Sequence, residues 1–253
     1  MKLDKFAKAF APIIAVVMAA GVSGCDAANI RLNGEEGKPL SELDLTGPAP
    51  DEVVLLGPDE VRITPGDKLA ITVEGDAAVK DQMRFTLKDG ALGVLRKDKT
   101  FSGDDKIAIV NVTMPAPKEL VMAGSGKITA AALASSVKVT IAGSGLIETP
   151  AVQGDSLDLT IAGSGNYRAA GNVRRLDLTI AGSGSAAIDA LKAETVKVTI
   201  AGSGSAAFAS DGDVDATIMG SGDVTVKGRA RCKVSAMGSG KLVCESGPVV
   251  KPE

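Results

Sequence analysis

The chain contains no histidine and no tryptophan, and only one tyrosine and five phenylalanines in 253 residues. Without an imidazole there is no Ser-His-Asp or Cys-His nucleophile and no ordinary zinc or non-haem iron ligand set. The scarcity of rings removes the platforms on which bases and sugars stack. Positive charge is also short: 28 Lys and Arg stand against 31 Asp and Glu, a net charge of −3. A phosphate backbone needs a cationic face, so nucleic acid is not an expected partner. No cofactor, metal site or catalytic residue is expected either. Glycine, by contrast, is abundant at 30 residues, beside many Val, Ile, Leu and Ala. Such a chain can bury a core and is not a disordered low-complexity polymer.

Residues 1–24 read as an address. Lys2, Lys5 and Lys8 precede an apolar run from Phe10 to Gly21, too short to cross a bilayer core of ~30 Å. The run ends in Val22, Ser23, Gly24 and Cys25, which resembles a bacterial lipobox and implies cleavage before Cys25 with lipid carried on it. An ordinary signal peptide with a coincidental cysteine, or an uncleaved anchor, are the alternatives. The expected location is the cell envelope, lipid-anchored at the outer membrane or at the periplasmic face of the inner membrane. Asp26 resembles a signal for retention at the inner membrane. With Cys25 lipidated, Cys232 and Cys244 remain as an even pair in an oxidising compartment.

The tripeptide Gly-Ser-Gly begins at Gly124, Gly143, Gly163, Gly182, Gly202, Gly220 and Gly238, in steps of 19, 20, 19, 20, 18 and 18 residues. A near-constant period of this length is the mark of a solenoid. Before the corners stand VKVTI (137–141), LDLTI (157–161), LDLTI (176–180) and VKVTI (196–200), with looser copies at 214–218 and 232–236. Their period-two alternation predicts strands with one buried face. After the corners, Ile128, Ile147, Tyr167, Ala186, Ala206, Val224 and Leu242 begin a second inward-facing strand. A second corner should follow, with turn chemistry at Gly154-Asp155, Gly171-Asn172, Asp211 to Asp213 and Gly228-Arg229. The predicted fold is all-β, a small parallel β-helix or β-roll of about seven rungs and roughly 30 Å along its axis.

Two outward columns support this register. One is charged: Glu119, Lys138, Asp158, Asp177, Lys197, Asp215 and Lys233. The other is hydroxylic: Thr140, Thr160, Thr179, Thr199, Thr217 and Ser235. The predicted organisation is a leader (1–24), a lipid anchor and tether (25–50), a β cap with degenerate rungs (51–118), the repeat β-helix (119–247) and a tail (248–253).

Several motifs invite other chemistry. Gly-Ser-Gly-Lys at 124–127 and 238–241 lacks the first Gly and the final Ser or Thr of a phosphate-binding P-loop. Asp211, Asp213 and Asp215 suggest a calcium loop, but Ala216 and Gly222 stand where that loop needs Gly and Glu. The stacked serines from Ser125 to Ser239 form a ridge whose backbone could act as an anion nest. Asp158 and Asp177 would be neighbours, the one carboxylate pair to consider for polysaccharide chemistry.

A variable β segment with GDKLAITVEG (66–75) and VNVTMP (110–115), followed by serial Ala-Gly-Ser-Gly turns, resembles the auto-transporter adhesin, head GIN domain family over about residues 51–246. The resemblance implies an exported or lipid-anchored bacterial β-helical protein and brings no catalytic motif. The expected function is a non-enzymatic envelope lipoprotein presenting a rigid surface for adhesion or binding. A carbohydrate-active lyase or hydrolase and a purely structural scaffold are the alternatives. Expected partners are the membrane through Cys25, a protein or glycan ligand, and further copies in a homo-oligomer. Cys232 falls in the inward column of the first strand and Cys244 in that of the second. They should face each other across the last rung, as a disulfide or as two buried thiols.

Overall fold

The structure is a computed structural model and describes residues 31–32, 35–97, 106–245 and 249–250. The leader, Cys25, and Pro248 and Pro252 of the tail lie outside the described residues. A two-strand ribbon, β1 (Arg31–Leu32) with β2 (Glu35–Glu36), and a 3-10 turn (Leu40–Glu42) lead into the main body. Strands β3 (Glu52–Gly57), β4 (Glu60–Pro65) and β5 (Ala70–Glu74) come next. Helix α1 (Ala77–Gln82), β6 (Met83–Lys88), β7 (Ala91–Arg96) and β8 (Ile109–Met114) follow.

The repeats begin with β9 (Glu119–Gly124), β10 (Lys127–Ala130) and β11 (Ser136–Gly143). They continue through the long strands β12 (Leu146–Gly163), β13 (Asn166–Gly182), β14 (Ser185–Gly202) and β15 (Ser205–Gly220). The last rungs are β16 (Asp223–Lys227), β17 (Arg231–Gly238) and β18 (Lys241–Cys244), with a short β19 (Val249–Val250).

The repeats stack as parallel rungs in strict register. Leu159 pairs with Val139 and Leu178, Ile161 with Ile141 and Ile180, and Gly163 with Gly143 and Gly182. We call the side before each Gly-Ser-Gly corner face A and the side after it face B. Val137, Val139 and Ile141 of face A and Ile147 of face B are buried, and the same columns are buried in each following rung up to β16. Alternation turns the residues between them to the other surface, although Thr140, expected outside, is buried. Tyr167 is the largest side chain in the core; its hydroxyl lies 2.6 Å from that of Thr149, which is also buried. That bond satisfies two polar groups which would otherwise be costly inside.

The rungs formed by β12 to β15 have a third side where a second tight corner is expected, whereas the expected corner at Gly228-Arg229 does break the chain between β16 and β17, with Gly228 at φ +100°. Val152 pairs with Gly171 and Gly171 with Leu191; Val173 pairs with Ala193. Val152, Val173, Leu191 and Ala193 are all buried. A repeat of this period has too many residues left after two faces and one corner for a tight turn. The surplus runs extended and contributes its own inward column. At the edge of this side, ion pairs link successive rungs: Arg174 to Asp155, Lys192 to Asp211 and Arg231 to Asp213.

The N-terminal segment does not stack in sequence order. β3 lies between β7 and β9, and β4 lies between β8 and β10, all parallel. The first-made rung is therefore flanked on both sides by later chain. Its corner, residues 57–59, continues the glycine column, since Gly57 pairs with Gly124 and its carbonyl accepts the Gly126 N–H at 2.9 Å. Outside this stack β5 runs antiparallel to β8 and β6 antiparallel to β7. Helix α1 joins them with Val79 buried, its start capped by Asp76, which accepts from the Ala78 N–H at 3.0 Å. Sequence periodicity predicts strands over 53–56, 61–64, 68–73, 83–87, 91–95 and 107–114, but not this single-turn helix, which is too short to show a face.

Two substitutions test the facing. Ile180 is fully buried and Thr179 beside it is half-buried and outward. Ile180→Asp should cost several kcal/mol, of the order of about 3–5 for an unpaired buried charge. Thr179→Asp should cost less than about 1 kcal/mol, both read as urea-melt midpoints.

Candidate functional site

The inward columns of the described rungs are filled by buried, mostly aliphatic side chains, so the charged and hydroxyl groups stand on the outward columns. At each corner the first Gly is held by the backbone. Gly163 has φ +119°, and an added Cβ there would sit 2.6 Å from the Gly143 carbonyl oxygen. The second Gly of a corner faces the core: a Cβ on Gly184 would sit 2.7 Å from the Gly165 oxygen. The serine between them is exposed, but in the five corners from Ser144 to Ser221 its N–H is already spent. Ser144 donates to the Gly124 carbonyl, Ser164 to Gly143 and Ser183 to Gly163, each at 2.9 Å. These corners are backbone ladders, and their amides cannot also cradle an anion. The lysines after the first and last corners open strands β10 and β18.

Face A carries the predicted columns in register. Lys138 pairs with Glu119 and Asp158, Asp158 with Asp177, Asp177 with Lys197, Lys197 with Asp215, and Asp215 with Lys233. Lys138 Nζ reaches Glu119 Oε1 at 2.7 Å. Below Glu119 the column continues with Glu52, its Cα partner. Burial raises the Glu52 carboxyl above its ordinary value, and the charge of Glu119 adds to the rise.

Asp158 is raised in the same way, first by burial and then by Asp177; Arg175 and Lys138 draw it back. Arg168 and Arg174 do not join this pair. Arg168 bonds Glu148 on face B at 3.2 Å, and Arg174 pairs with Asp155 on the third side. The three aspartates 211, 213 and 215 do not converge either. Asp211 takes the Lys192 ammonium at 2.6 Å and the Arg229 N–H at 3.0 Å, while Asp213 takes Arg231 at 2.8 and 3.0 Å. Among the described residues no group of three or more Cys, Asp or Glu is placed to hold a metal ion.

One concave part of face A lies over the last three rungs. A shallow groove of about 590 Å³ is lined by Thr195, Lys197, Asp213, Asp215, Arg231 and Lys233, with backbone from the Val196, Val214 and Cys232 column. Arg231 and Asp213 hold each other at one rim. Lys197, Asp215 and Lys233 make no ion pair among the described residues, so the groove offers two cations and one anion to whatever enters. Under its floor Cys232 is joined to Cys244 by a disulfide, with Cα atoms 6.7 Å apart and a sequence separation of 12. Cys25 lies outside the described residues.

One residue pair that sequence reading misses holds the first corner. Asp59 is fully buried and accepts two bonds from Arg96, at 2.8 and 2.6 Å, and one from the Ala108 N–H at 2.8 Å. An Asp after Gly-Pro reads as a turn residue; only the non-sequential stacking of β7 against β3 brings the arginine to it.

Two measurements follow. Closing a loop of this size is worth about 3 kcal/mol. Reduction of the Cys232–Cys244 bond should therefore lower the urea midpoint accordingly, and alkylation of the unfolded, unreduced protein should leave both cysteines unlabelled. In Asp177→Asn, the Asp158 carboxyl should titrate lower by NMR than in the wild-type chain, because the like charge that adds to burial is gone. A raised folded value means that the stability Asp158 contributes is complete below the unfolded carboxylate pKa and is lost as pH rises through the folded one.

Solved structures share this fold at low sequence identity. A "putative lipid binding protein" of Parabacteroides distasonis is 22% identical with a TM-score of 0.56, covering 81% of this chain and 94% of that one. A "putative adhesin" of Bacteroides fragilis is 15% identical with a TM-score of 0.62, covering 81% and 93%. Another from Parabacteroides merdae is 20% identical with a TM-score of 0.59, covering 81% and 92%. No curated protein matches the chain in sequence. The sequence profile described as "Putative auto-transporter adhesin, head GIN domain" matches residues 49–230, and with most of its length matched the chain belongs to that head GIN domain family.

Proposed function

We propose that this chain is a non-enzymatic, lipid-anchored protein of the bacterial cell envelope whose solenoid presents face A as a binding or adhesion surface. The observation that carries the reading is the groove over the last three rungs, where Lys197, Asp215 and Lys233 stand in register without ion-pair partners among the described residues. Elsewhere several charges of the solenoid are spent on each other between rungs, as in Lys138–Glu119, Arg174–Asp155 and Lys192–Asp211. The adhesin and lipid-binding names of the family and its structural neighbours agree with a binding role. The lipobox-like sequence ending at Cys25 supports the anchor. Asp158 and Asp177 stand without Arg168 or Arg174, and the chain has no histidine. That arrangement favours recognition over polysaccharide cleavage. The ligand class is a surface protein or a glycan with charged groups, met by charges spaced at the ~4.8 Å rung repeat.

The test is a binding screen of the full chain against envelope glycans and proteins, repeated with Lys197→Glu and Lys233→Glu together. Loss of binding by about tenfold or more is expected, as for reversed charges at a specific contact. The fold should be unchanged because both side chains are outward. Cys25→Ser should move the protein from membranes to the soluble fraction. Turnover of a polysaccharide, abolished by Asp158→Asn, would replace this reading with an enzymatic one.

A further inference from the structure

The two ends of the solenoid are finished differently. At the N-terminal end β5 and β6 reverse direction and α1 crosses between them. At the C-terminal end no such reversal covers the last rung among the described residues. β19 pairs with Cys232 and Lys233, and among the described residues the outer edge of the rest of β17 and all of β18 has no strand partner. The core thins there. Leu242 and Cys244 are half-buried, whereas Ile188, Phe208 and Val226 in the rungs before are fully buried. Met237 is 65% exposed and Val243 52%. An open parallel edge beside partly bare apolar side chains is a template for another strand.

Charge selects the strand. Residues 227–245 carry five basic side chains, Lys227, Arg229, Arg231, Lys233 and Lys241, against Glu245 after the last inward position and Asp-free otherwise. Lys227 and Arg231 are paired to Asp189 and Asp213, while Arg229, Lys233 and Lys241 make no side-chain ion pair among the described residues. The opposite end is acidic, with 13 Asp and Glu against eight Lys and Arg over residues 35–97. Two copies meeting by their C-terminal ends would set like charges together. A C-terminal end meeting an N-terminal end would set opposite charges together.

The N-terminal end also has a free edge. β5 pairs with β8 on one side, and no strand pairs with its other side among the described residues. It extends face B, the same face to which β18 belongs, and it runs antiparallel to every rung. Set against β18 of another copy, it gives an antiparallel ladder: Lys241 opposite Glu74, Leu242 opposite Val73, Val243 opposite Thr72, and Cys244 opposite Ile71. In that register inward residues meet inward residues, Ile71 being buried and Val73 half-buried, and exposed ones meet exposed ones. The cation at one end of β18 meets the anion at the end of β5.

We propose that this chain associates head to tail with copies of itself, the open edge of β18 taking β5 of the next copy so that face B runs on across the joint. Such a contact is heterologous and propagates along the solenoid axis into filaments, with no closed dimer. This surface is separate from the face A groove.

Sedimentation velocity of the full chain in detergent should show a mass that rises with concentration beyond one 25.5 kDa chain. Lys241→Glu alone and Glu74→Lys alone should each return it to a monomer. The double variant should associate again, and so should an equimolar mixture of the two single variants, since each then supplies the complement of the other. Both positions are exposed, and unchanged urea midpoints would show that the variants fold. A wild-type chain that stays monomeric at every concentration would overturn the proposal, because Lys241 would then serve only to blunt the edge. Association that ignores both single reversals would overturn it equally.

Discussion

The whole solenoid depends on how closely one backbone corner can lie on the next. At each Gly-Ser-Gly the carbonyl of one rung accepts from the following rung, and the first glycine has a positive φ that L side chains avoid. There is no room for a methyl group between stacked corners. Because the corners cannot spread, the faces leaving them are held in parallel register, and each inward side chain falls on its counterpart. A slip by one residue would turn the aliphatic columns outward. Charged and hydroxyl columns outside are consequences of the same constraint. The corner column fixes the spacing, and the outward side chains inherit it.

Much of this was legible because the repeat is close to exact. Where Leu157 to Ile161 recurs as Leu176 to Ile180, a periodicity argument gives strand, facing and neighbour at once. The inward positions on face B were readable in the same way, including Tyr167 and Thr149. What escaped has a physical reason in each case. The third side was hidden because its residues alternate only briefly and contain Gly154 and Gly171, which look like turn residues. The Asp59–Arg96 pair was hidden because its members are far apart in sequence and belong to rungs stacked out of order. The motif LDLT at 43–46 is identical to 157–160 and 176–179, yet it is not a strand. There Asp44 accepts from both the N–H and the hydroxyl of Thr46, at 2.9 and 2.6 Å, and bends the chain against the cap. The same four residues become a strand only when a rung lies ready beside them.

The candidate site was readable in part. The column from Glu119 to Lys233 could be written down from spacing, but its division of labour could not. Lys138 is engaged by Glu119, Asp158 is crowded by Asp177, and the groove lies over the last rungs, where Arg231 and Asp213 close one rim. The distinction rests on burial and side-chain reach, which spacing does not encode. It also explains why so uniform a repeat can carry a local site: similar backbones allow each outward position to vary without disturbing the core.

The insertion of β3 and β4 between chain segments that come later has a kinetic consequence. A regular solenoid can lengthen one rung at a time, each new turn resting on the last. Here the first rung has no parallel neighbour until residues 91–96 and 109–114 have been made on one side and 119–130 on the other. The segment from Glu52 to Ala130 must therefore close as one cooperative block, with long loops to order before any pairing is gained. The remaining turns can then zip onto it in sequence. Nucleation is confined to one end, and folding acquires a direction that the near-identical repeats by themselves would lack.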